Sequence, residues 1–215
     1  MPFDFEELQH IAVSVVAISA AIAMVQVGLR GFLSLSVGES IFLFTIIFFT
    51  TGIGFILHEL AHKFAAQRFG IYAAYRAWPA GLLLMLLFPL LGLRFVFAAP
   101  GATYIFAYRL SRRQNGLVSL AGPLTNALLA AAFFVAAFLY FGLGLPNILL
   151  VRLPAPLGAF SAVEFFLTGA AINMWLGFFN LLPIYPLDGS KVLAWNWMVW
   201  AALTGTLGVF LFFLF

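Results

Sequence analysis

The chain has 215 residues, 65% of them hydrophobic and 8% charged, with a formal net charge of +3. Average globular chains carry roughly a quarter charged residues, so these charges are too few to build a water-facing surface and an ordinary soluble protein is excluded. No basic run with interleaved aromatics points to a nucleic-acid partner, and without cysteine there is neither a disulfide framework nor a thiolate metal site.

The sequence reads instead as an all-α polytopic membrane protein, one bundle over residues 1–215 with about five to six transmembrane helices. The N-terminus, M-P-F-D-F-E-E, is acidic and lacks the positive region of a cleavable signal peptide. Ile11 to Leu29 is therefore expected as a retained span, long enough at 1.5 Å per residue to cross about 30 Å of hydrocarbon. Ile41 to about Ala66 is a second span, interrupted by Gly52 and Gly54. Residues 69–115 are irregular. Short strands are expected around Gly70-Ile71-Tyr72 and from Arg94 to Phe106, giving a small membrane-associated hairpin or sheet. Between them the apolar run Ala80 to Leu93 is broken by Pro89 and Gly92. Leu117 to Phe141 is a span and Gly142 to Pro156 a loop. Ala162 to Leu182 is a span ended by Pro183 and Pro186. Val192 to Phe215 is the last, with Trp195, Trp197 and Trp200 as an interfacial belt.

The chemistry lies in two stretches. In His58-Glu59-Leu60-Ala61-His62, positions i and i+4 of a helix differ by about 40° in azimuth. Both imidazoles can then meet one metal, with Glu59 beside it as a general base. Ionisable groups at mid-bilayer each cost about 2.5–3.5 kcal/mol on insertion scales, so a functional role is the default. His10, beside Glu6 and Glu7 at the membrane edge, reads as an ordinary polar residue.

A catalytic zinc needs a third protein ligand and an open fourth position. Of the seven acidic residues, Asp4, Glu6 and Glu7 are N-terminal, Glu39 flanks the far end of the second span, and Glu164 starts the fourth. Asp188 remains, after a proline-broken helix end in N-L-L-P-I-Y-P-L-D-G, Asn180 to Gly189. Broken backbone is tolerated at membrane depth where it is packed in protein or faces water.

For the two motifs to share a metal, their spans must run in the same direction. Residues 80–99 must then leave and return on one membrane side, as a re-entrant segment. With five crossings, Lys63, Arg68, Arg76, Arg94, Arg109, Arg112, Arg113 and Lys191 fall on or near one side, against Arg30 and Arg152 on the other. That excess places the active-site side and the N-terminus in the cytoplasm.

The pair H-E-L-A-H and N-L-L-P-I-Y-P-L-D-G resembles the site-2 protease family of intramembrane zinc metalloproteases. The resemblance implies His58, His62 and Asp188 as ligands of one Zn2+ and Glu59 as catalytic base. It implies Asn180 near the scissile peptide, and Asn126 of G-P-L-T-N in a structural or substrate-contacting role. The implied substrates are transmembrane proteins cut within or near their spans in the lipid, with a β-hairpin following the zinc helix. Gly189-Ser190 departs from the family's usual pair of glycines after the aspartate. The competing readings are a transporter or metal-binding channel lined by Asn126, Asn173, Asn180, Glu164 and Asp188, and an inactive scaffold of the same fold. The nearest enzymatic rival is an unrelated membrane metalloprotease acting on prenylated substrates, against which N-L-L-P…D-G argues.

Overall fold

The computed structural model describes residues 3–94, 96, 100–107, 109–146, 149–152 and 159–214. Helix α1, Phe5–Ser34, starts at Asp4, whose carboxylate accepts from Glu7 N at 2.6 Å. It kinks at Gly28, whose φ of 72° lies in the left-handed region that glycine alone adopts without a steric penalty. Helix α2, Val37–Ile47, opens with a Ser36/Glu39 capping box and runs through one π turn, Phe48–Gly52, into α3, Ile53–Arg68. Gly52 therefore marks a widened turn within one continuous 32-residue run, Val37–Arg68.

After α3, strand β1, Tyr72–Ala77, pairs antiparallel with β2, Gly101–Phe106, from Tyr72↔Phe106 to Ala77↔Gly101. Trp78 N donates to Pro100 O at 2.9 Å just beyond the last pair. Residues 78–100 thus leave and return at one point, as the same-side requirement demanded. The outward limb is α4, Pro79–Leu90, whose Met85 joins Val15 and Ile18 of α1, Phe55 of α3 and Tyr75 of β1 in one buried cluster. The expected strand from Arg94 to Phe106 is shorter than expected. It begins at Gly101, and positions 95 and 97–99 lie outside the described residues.

The excursion is deep. A Cβ built on Gly28 would stand 3.6 Å from Arg94 Nη2, so Arg94 sits near the far end of α1, close in sequence to Arg30. This corrects the assignment of Arg94 to the active-site side. Helix α4 carries the chain along α1 before it turns back, and the charge balance becomes seven against three.

Helices α5, Arg112–Gly142, and α6, Ala162–Asn180, open with Ser111/Gln114 and Ser161/Glu164 capping boxes. His62 meets Val118 and His58 meets Asn126, so α5 runs antiparallel to α3. Asn126 meets Asn173, and Tyr140 packs against Phe166 with tilted rings, so α6 runs antiparallel to α5. Helices α3 and α6 therefore point the same way.

Two further expectations need correction. The stretch from Gly142 to Pro156, read as a loop, contains β3, Leu149–Arg152, which pairs antiparallel with β4, Ala159–Ser161. The single span from Val192 to Phe215 is two helices, α7, Asp188–Trp195, and α8, Trp197–Leu214. Asn196 separates them with φ −151° and ψ 104°, and its Oδ1 accepts from Met198 N and Val199 N at 3.0 and 3.2 Å. That is an N-cap, and it starts a new helix. Among the described residues four helices are long and apolar enough to cross a membrane: α1, the α2–α3 run, α5 and α6. Helices α4 and α8 are shorter and apolar.

Candidate metal centre

Helix α3 presents His58 and His62 on its inner face, where they are 5% and 7% exposed. Their Nε2 atoms stand 3.0 Å apart. Asp188 Oδ2 lies 3.4 Å from His58 Nε2 and 3.0 Å from His62 Nε2. The spacing fits a metal ion. Ligand atoms about 2.0–2.1 Å from a tetrahedral zinc stand roughly 3.3 Å apart.

The proton positions on both rings are fixed by their partners. His62 Nδ1 lies 2.7 Å from Val118 O, a carbonyl that can only accept, so Nδ1 carries the hydrogen and, in the neutral ring, Nε2 keeps its lone pair. His58 Nδ1 lies 2.5 Å from Asn126 Oδ1. The orientation of Asn126 follows from a chain of contacts. Asn173 Nδ2 donates to Thr50 O at 3.0 Å and Gly169 O at 2.9 Å, which turns Asn173 Oδ1 toward Asn126 Nδ2 at 3.0 Å. Asn126 Nδ2 also donates to Gly54 O at 3.3 Å, leaving Oδ1 for His58. In the neutral rings both Nε2 lone pairs therefore face Asp188. Asn126 and Asn173 are fully buried, so this relay is shielded from competing water.

Two glycines allow the approach. A Cβ on Gly122 would come within 2.4 Å of His62 Nε2 and 2.5 Å of His58 Nε2. Only a glycine lets α5 lie so close to the ligand atoms. A Cβ on Gly189 would come within 2.0 Å of Leu181 O, so Gly189 lets the first turn of α7 fold back onto the end of α6. That fold-back delivers Asp188.

These groups line a cavity of about 250 Å³ together with Glu59, Thr103 of β2, Asn180 and Lys191. Glu59 is 8% exposed, and its Oε2 accepts from Thr103 Oγ1 at 2.8 Å. Asn180 Nδ2 donates to Leu176 O at 2.9 Å, which leaves its second amide hydrogen and Oδ1 for the cavity. Lys191 Nζ stands 3.6 Å from Asp188 Oδ1, the carboxylate oxygen turned away from the histidines. Asn126, expected in a structural or substrate-contacting role, has its amide occupied by Gly54, Asn173 and His58. Sequence reasoning missed Thr103 and the relay through Asn173. Alternation along G-A-T-Y-I-F could have placed Thr103 on the inward face, but nothing in the sequence tied that face to Glu59.

Comparison with known proteins agrees with this geometry. Residues 44–203 match the model of peptidase family M50. A protein of Methanocaldococcus jannaschii, named as a candidate zinc metalloprotease, is 41% identical over 163 residues, 75% of this chain and 76% of that protein. A Bacillus subtilis protein with a corresponding name is 30% identical over 154 residues, 66% of this chain and 64% of that protein. No solved structure matches the chain at a significant level. Two imidazoles and a carboxylate converging in a bundle of apolar helices define a membrane metallopeptidase site. The chain belongs to peptidase family M50, the site-2 protease family.

Proposed function

We propose that this protein is an intramembrane zinc protease that hydrolyses peptide bonds within or near the membrane spans of other proteins. The observation that supports this most directly is the convergence of His58 Nε2, His62 Nε2 and Asp188 Oδ2 within 4.8 Å of one another, beside Glu59 and inside apolar helices.

In this reading His58, His62 and Asp188 hold one zinc ion, which supplies Lewis acidity toward a water and the scissile carbonyl. Glu59 takes a proton from the attacking water and passes it to the leaving amine nitrogen. Asn180 offers an amide hydrogen to the scissile peptide or the developing oxyanion. Asn126 holds His58 in its ligating tautomer. A substrate helix must unwind to expose a peptide bond, and the free edge of β2 can receive an extended segment. The seven-to-three excess of basic residues supports a cytoplasmic active-site side in a cell membrane.

The test uses purified protein in detergent and tagged single-span helices carrying a central Gly-Pro break. Wild type should hold near-stoichiometric zinc and cut inside the apolar stretch, with the bond mapped by mass spectrometry. Asp188→Ala should lose zinc, and Glu59→Gln should keep zinc and lose cleavage. Full zinc in Asp188→Ala would remove that ligand, and cuts confined to polar flanks would remove the intramembrane reading.

A further inference from the structure

Glu59 lies one residue from His58 on α3, and backbone geometry alone leaves its carboxylate several staggered rotamers. A base that must meet one water needs one of them. The structure shows what selects it. Thr103 Oγ1, on β2, stands 2.8 Å from Glu59 Oε2 and 3.1 Å from Glu59 O. The hydroxyl has one hydrogen to give, and the shorter contact to the carboxylate, the stronger acceptor, directs it to Oε2. Among the described residues no protein group donates to Glu59 Oε1, which leaves that oxygen to the cavity.

The strand that carries Thr103 is braced through β1 by α1 as well as by α3, where Phe55 packs on Tyr75. Its partner β1 is clamped to α1, where Tyr75 N donates to Glu7 Oε1 at 3.0 Å and Tyr75 Oη donates to Ser14 Oγ at 2.8 Å. Arg76 bonds Asp4 at 3.1 Å. A Cβ on Gly101 would come within 2.2 Å of Tyr75 Oη, so β2 lies tightly on β1 two residues before Thr103. The burial of β2 alternates, with Gly101, Thr103 and Ile105 less exposed than Ala102, Tyr104 and Phe106. Thr103 is therefore a fixed point on a braced strand.

We propose that Thr103 is the positioning residue for the base: its hydroxyl pins Glu59 Oε2 and leaves Oε1 aimed at the attacking water. The proposal rests on the reading of Glu59 as base. It assigns a catalytic consequence to β2 beyond any role of that strand's edge in receiving substrate.

Thr103→Val keeps the shape and the β-branching and removes the hydroxyl. Thr103→Ser keeps the hydroxyl and removes the methyl group. The tagged helices described above serve as probe, with kcat, KM and zinc content measured for wild type, both variants and Glu59→Gln. The expected result is a kcat at least ~10-fold lower in Thr103→Val with KM and zinc unchanged, and a kcat within about threefold of wild type in Thr103→Ser, since a positioned acid–base group contributes ~10²–10⁴-fold. A strand held by packing alone reverses that order, because valine then serves better than serine. Wild-type kcat in Thr103→Val, equal losses in both variants, or loss of zinc or folding in Thr103→Val would each overturn the proposal. Wild-type activity in Glu59→Gln would instead overturn the base reading beneath it, so the two failures are distinguishable.

Discussion

Asn126 Oδ1 accepts the Nδ1 hydrogen of His58 at 2.5 Å, and this contact determines which nitrogen of His58 faces the metal centre. Side chains that orient a metal-bound imidazole typically change metal affinity 10–100-fold when replaced. Asn126→Leu should therefore weaken zinc binding by about that factor, read by competition with a chelator of known affinity. Unchanged affinity would mean that Val118 and Asp188 suffice to order the site.

Gly122→Ala is a steric test of the same centre. The added methyl would fall within 2.5 Å of both ligand nitrogens, closer than any relaxed carbon contact. Zinc stoichiometry should fall well below that of wild type, while far-UV circular dichroism stays helical. Full zinc content would show that α5 can retreat from α3 at little cost.

The Glu7–Lys63 pair tests what anchors α1. Lys63 Nζ lies 2.5 Å from Glu7 Oε2, and both side chains are 1% exposed. Removing one partner strands the other charge, at a cost of ~3–5 kcal/mol. Glu7→Gln and Lys63→Met should each lower the melting temperature sharply. The double variant should melt above either single one, and simple additivity of the two losses would argue against a coupled pair.

The outer clamp is pH-dependent. Glu7 N and then the Arg76 guanidinium hold the Asp4 carboxyl below its ordinary range. A carboxyl depressed in the folded state contributes stability above its unfolded pKa, near ~3.9, and loses it as the pH falls through the folded value. The melting-temperature gap between wild type and Asp4→Ala should therefore be present at pH 7 and close below about pH 4. A constant gap across that window would point to packing at this helix end, not charge.

Much of the site was readable before the fold. The i, i+4 spacing put His58 and His62 together because helical periodicity is a local property. Asp188 followed from the scarcity of carboxylates, and the same-side return of residues 80–99 followed from the requirement that two spans run parallel. What escaped was set by tertiary partners or by a polar residue in apolar company. Asn196 lies inside a tryptophan-rich apolar run, and its capping of α8 outweighed the continuity that the run suggested. Arg94 was assigned a side by sequence order, but α4 carries it to Gly28 before the chain returns. Thr103 is a lone hydroxyl on a six-residue strand, and its contact with Glu59 spans 44 positions.

The relay from Thr50 and Gly169 through Asn173 and Asn126 to His58 ties three helices to one ring nitrogen. Thermodynamic coupling of this kind is reciprocal. If the amide chain raises affinity for zinc, zinc must in turn tighten the seams between α3, α5 and α6. The ion would then act as a structural fastener as well as a reagent. The rise in melting temperature on zinc loading should shrink when Asn173 is replaced, although Asn173 touches neither the metal centre's ligand atoms nor the cavity.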